Sequence, residues 1–100
     1  MSAVRELLTV VGDFKKEFKD EFIQRVKRRT PVSNHPLTAG TLQRGWDGEV
    51  LSDAIEITNE VEYASFVEYG TRHMSPRRML GLTILEADLI ADIAARKVRQ

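Results

Sequence analysis

His35 and His73, with the carboxylates Glu62 and Glu68, are the side chains closest to a recognisable acid–base or metal arrangement. A metal site would need the histidines to converge with a carboxylate, and their spacing matches no known ligand pattern. Both histidines fall in stretches that read as loops, so they are read as loop or interface residues. On a helix, Glu62 and Glu68 point to different sides, which argues against a shared acid–base role. Glu62 is better explained as a capping residue: it follows Asn59 at the spacing of a capping box. There is no cysteine, hence no thiolate nucleophile, zinc finger or disulfide. No Ser–His–Asp logic, phosphate-binding glycine loop or nucleophile elbow is present. The expectation is a protein that is not an enzyme and has no cofactor and no metal.

Cations form two further groups. Arg25, Lys27, Arg28 and Arg29 sit where a helix should end, and cations are favoured at that pole. Arg72, Arg77 and Arg78 lie in a polar loop and face DNA phosphates, an acidic partner or solvent. Trp46, the only tryptophan, is expected in the core or at an interface, with a polar partner for its indole. Tyr63, Phe66 and Tyr69 are read as packing residues rather than a platform for stacking bases, which usually sits on a sheet.

The elements that place these residues centre on positions 61–80. Tyr63, Phe66, Val67 and Gly70 fall on one helical face. Gly70 supplies the left-handed conformation that ends a helix. Ser75 and Pro76 then read as the cap and first residue of a second helix running to about Lys97. Its stripe is Leu82, Leu85, Leu89 and Ile93, widened by Ile84, Ile90, Ala91 and Ala94 beyond what one partner needs. Gly81 is a candidate kink.

Upstream, residues 3–29 read as one long helix capped by Ser2, with Val4, Leu7, Leu8, Val11, Phe14, Phe18, Phe22 and Val26 as its stripe. Glu21 and Arg25 form a favourable pair on it. Gly12 is its weak point, and Pro31 should stop it at Thr30. Residues 31–40 read as loop, 41–46 as a helical turn passing into a strand, and 46–51 and 54–59 as a hairpin turning at Ser52 and Asp53. Ile55 and Ile57 face one side of it, Glu56 and Thr58 the other. Two strands alone are marginal, so helix packing or strands from a neighbour must complete them.

The chain has 100 residues, 42% hydrophobic and 30% charged, with fifteen cations against fifteen acids. That fits one globular domain spanning 1–100 and argues against a generic nucleic-acid coat. No apolar run reaches bilayer length, so no membrane partner is expected. The N-terminus lacks a signal-peptide pattern, which implies a chain made in a cytoplasm and not exported by the usual route.

Residues 63–71, YASFVEYGT, then a loop containing Met74 and PRRML at 76–80, resemble the small head–tail joining or tail-completion proteins of long-tailed bacteriophages. TPV at 30–32 and TAGTLQRGW at 38–46 resemble a second block of that family, in the expected order. With the flanking helices the resemblance spans nearly the whole chain. It departs where relatives carry proline–phenylalanine and this chain has Arg78 and Met79, and in extra residues at 32–37. Long loops tend to carry contacts.

The resemblance implies a structural virion subunit, assembled in the host cytoplasm and located in the neck or tail. Copies would form a ring, expected to be hexameric, around a channel for genomic DNA. The neighbours would be a connector or adaptor, a terminator or the tail tube. Expected interface residues are Pro31, His35, Leu42, Trp46, Tyr63, Phe66, Glu68, Tyr69, Gly70, Arg72, His73, Met74, Arg77 and Arg78. For Glu68 a partner such as Arg72 or Arg77 is expected. The phenylalanine stripe and the C-terminal apolar arc are the candidate ring patches. The fold expected is α+β: a long N-terminal helix, a small antiparallel hairpin sheet, a short helix and a long C-terminal helix. The competing reading is a small nucleic-acid-binding regulator that uses the cluster at Arg25 to Arg29, with affinity falling steeply in salt.

Overall fold

The structure is a computed structural model that describes residues 4–10, 12–32, 40–73 and 75–99. In chain order it contains β1 (Val4–Thr9), α1 (Lys15–Arg29), α2 (Thr41–Arg44), β2 (Trp46–Val50), β3 (Ala54–Asn59), α3 (Ala64–Tyr69), α4 (Leu80–Leu85) and α5 (Ala87–Arg99). The class is α+β, as the sequence suggests. Ser2, Val11, His35 and Met74 lie outside the described residues, as do 33–39 of the expected loop at 31–40.

The N-terminus corrects the expectation of one long helix. Val4–Thr9 is a strand paired antiparallel with β3, Val4 opposite Asn59 and Leu8 opposite Ile55. Gly12 follows at φ 116, a conformation that side chains with a Cβ rarely adopt, and α1 begins only at Lys15. Apolar residues at positions 4, 7 and 8 satisfy a helical period as well as a strand. The non-local pairing with β3 decides between them. The helix ends as expected: Thr30 is extended ahead of Pro31.

The sheet therefore has three strands in the order β1-β3-β2, with β3 in the middle. The β2–β3 hairpin turns where expected, and the Leu51 N–H donates to the Ala54 carbonyl at 2.8 Å. Ile55 and Ile57 are buried beneath α1 while Glu56 and Thr58 face the other side. Phe18, Phe22 and Val26 of α1 close over them with Trp46, and Ile90 and Ala94 of α5 complete the core. Each large side chain taken from water here contributes about 1.5–3 kcal/mol. The phenylalanine stripe is thus core. It is not available as a ring patch.

The C-terminal helical run starts at Leu80 rather than at Pro76, and its interruption falls at Glu86, not at Gly81. Its buried residues are Leu80, Thr83, Ile90 and Ala94. Leu82, Leu85 and Leu89 remain 43%, 78% and 51% exposed. The apolar arc is broader than the described residues cover.

Candidate interaction surface

Glu68 organises the corner that carries the family-like residues. It is buried, and its carboxylate accepts three backbone N–H bonds: Met79 at 3.0 Å, Leu80 at 2.6 Å and Gly81 at 3.1 Å. These are orphan donors at the start of α4, which has no local side-chain cap. The expected partner, Arg72 or Arg77, is replaced by the backbone of a distant helix. A fourth bond fastens the same corner: the Arg77 N–H donates to the Val67 carbonyl at 2.7 Å. Gly70 ends α3 at φ 78, confirming the positive φ expected there, although its ψ of 175 is extended rather than left-handed helical.

Asn59 does not cap α3. It is buried, its Oδ1 accepts from the Val61 N–H and its Nδ2 donates to the Leu42 carbonyl. The first helical residue after it is Ala64, and Glu62 is left exposed. The capping-box reading fails because Asn59 is still a strand residue opposite both Val4 and Trp46.

The sequence-expected surface divides in two. Leu42, Trp46 and Glu68 face the chain's own interior and support the surface from beneath. The Trp46 indole donates to Thr30 Oγ1 at 2.8 Å, and that hydroxyl donates to the Val26 carbonyl, so the expected polar partner is present. Tyr63, Phe66 and Tyr69 are exposed rather than packed. Arg72, His73, Arg77 and Arg78 are also exposed, and Pro31 and Gly70 are half-buried. Between the two sets lies a cleft of about 290 Å³ lined by Glu68, Tyr69, Pro76, Arg78 and Gly81. Partial desolvation of the Tyr69 phenol, with the negative charges of Glu68 and Glu6, raises its pKa.

Two of the four cations of the other basic cluster are engaged. Arg25 and Arg29 both pair with Glu86, Arg25 also meets Glu21, and Lys97 reaches Glu21 at 3.2 Å. Arg29 also donates to Thr83 Oγ1 at 2.9 Å. Glu86 as the hub was not anticipated, although the spacing of Arg25 and Arg29 on one helical face was a usable signal. Burial of Glu21 by itself raises its pKa, but the hydrogen bonds and charges of Lys97 and Arg25 outweigh it, so the net shift is downward. A depressed folded-state pKa gives stability that is present above the ordinary carboxylate value and lost as pH falls through the folded one. Glu21→Gln should therefore be less stable than the parent at neutral pH. The gap should close in acid, as followed by urea midpoints across pH.

Among the described residues no group of three histidines and carboxylates could hold a metal ion, and no helix is long and apolar enough to cross a membrane. What the corner offers is an exposed surface held by backbone hydrogen bonds.

Residues 6–70 match the family model HK97-gp10_like, described as "Bacteriophage HK97-gp10, putative tail-component". The chain belongs to this family. The match begins inside β1, takes in every element from α1 to α3, and ends at Gly70, where α3 stops. Family membership makes the chain a bacteriophage tail component, with a structural role in the virion and other tail proteins as its setting. Searches of curated proteins and of solved structures returned no match.

Proposed function

We propose that this tail component acts in head–tail joining or tail completion, as a ring at the head–tail junction or tail end. The family match over residues 6–70 carries the reading. Sixfold tail symmetry makes a hexamer the expected copy number, with the genome passing through its channel. The exposed Leu82, Leu85 and Leu89 support self-association, because exposed large apolar side chains grouped on one helical run mark an interaction site. The pairing of Arg25 and Arg29 with Glu86 weighs against the nucleic-acid regulator, which needs those cations for phosphate.

Light scattering over a range of concentration, with and without duplex DNA, tests this. A discrete ring, or a monomer that ignores DNA and joins isolated tails, is the expected result. A monomer or dimer that binds duplex at low salt and releases it at high salt would overturn the reading.

A further inference from the structure

We propose that the open face of the sheet is a docking site for a second copy of this chain, which seats on it the arginine loop joining α3 to α4. The proposal rests on the ring reading, since it assigns two of the surfaces through which copies meet. One face of the sheet lies under α1. On the other, the register sets Leu7 beside Glu56 and Glu56 beside Glu49, with Asp47 beside Thr58 in the next row. Carboxylates directly opposite on adjacent strands repel each other. Arg5 relieves Glu56 at 2.8 Å, but Asp47 and Glu49 are exposed and have no ion pair among the described residues. Leu7, at the centre of its edge strand, is 51% exposed on the same face. An apolar centre beside uncompensated acids is a surface suited to a cationic partner.

The chain carries that partner itself. Residues 45–71 contain acids and no lysine or arginine, whereas 72–78 contain Arg72, Arg77 and Arg78 and no acid. All three arginines are exposed, and none has an ion pair among the described residues. Among the described residues no ion pair joins the two patches within one copy, so both charges are left for a neighbouring copy. A contact between two different patches is heterologous: it leaves one of each free on every pair, which is the condition for closing a ring. Exposed ion pairs are individually weak and screened by salt, so association through this face should fall about tenfold or more on going from low to high ionic strength.

The full-length chain is assayed by sedimentation at several salt concentrations, with one variant carrying Asp47→Lys and Glu49→Lys and another Arg72→Glu and Arg77→Glu. Each variant alone should associate about tenfold more weakly than the parent at low salt. Their equimolar mixture should recover association, because each then presents the charge the other needs. Circular dichroism checks folding, and the pair Asp47→Asn and Glu49→Gln replaces the lysine variant if that one does not fold. Association unchanged in both variants, or not recovered on mixing, overturns this assignment while the ring stands. A parent that stays monomeric at low salt also overturns it, and joining to isolated tails then judges the ring reading separately. Binding of an oligoarginine peptide by chains that do not bind one another overturns the second copy as occupant.

Discussion

Replacing Phe22 by alanine is expected to cost about 4 kcal/mol of folding stability, a cavity-forming loss at a site with no room to relax. Phe22 is 0% exposed and stacks on Phe18 with ring centroids 6.1 Å apart. It sits where α1 crosses the sheet, so its removal loosens helix, sheet and α5 together. Small domains have about 5–15 kcal/mol in all, so the variant should unfold at a much lower urea concentration with an unchanged slope. Leu85→Ala is the contrast. That side chain is 78% exposed, and its truncation should change stability by less than about 0.5 kcal/mol while weakening self-association. If Phe22→Ala abolished association at wild-type stability, the phenylalanine stripe would be an interface after all.

These two side chains mark the limit of what periodicity reveals. A 3.6-residue pattern identifies an apolar stripe but not which neighbour covers it. In α1 the chain's own sheet does so, whereas at Leu82, Leu85 and Leu89 nothing among the described residues does. Features with local causes were legible: the stop at Thr30 before Pro31, the positive φ of Gly70, the turn at 41–44 and the hairpin that follows. Features set by distant partners were not. β1 reads as helix until β3 is beside it, and Asn59 reads as a cap until it is seen to hold Leu42. The sequence marked the family-like corner around Glu68, but the groups holding it were hidden. They are backbone donors that only the folded chain brings to Glu68.

Glu68→Ala should accordingly destabilise the fold by about 3 kcal/mol, more than an ordinary lost helix cap at about 1 kcal/mol. The alanine leaves the Met79, Leu80 and Gly81 amides without acceptors, two of them in buried residues. Buried unsatisfied donors cost about 1–3 kcal/mol each, reduced where water enters through the adjoining cleft. Glu68→Gln should fall between the two. It keeps one acceptor oxygen for Met79 and Leu80 but turns an NH₂ toward the Gly81 N–H. Arg72→Ala and Arg77→Ala serve as controls, each changing stability by less than about 0.5 kcal/mol, because neither side chain meets Glu68 in an ion pair. Urea midpoints measure the losses, and amide exchange at Met79, Leu80 and Gly81 should accelerate in the alanine variant ahead of the core. Because Glu68 fixes where α4 begins, it also sets the positions of Leu82 and Leu85 and of the arginine loop before them. The weaker Glu68→Gln variant should therefore stay folded while associating less tightly. Wild-type exchange at those three amides would mean that the first turn of α4 is held by something other than this carboxylate.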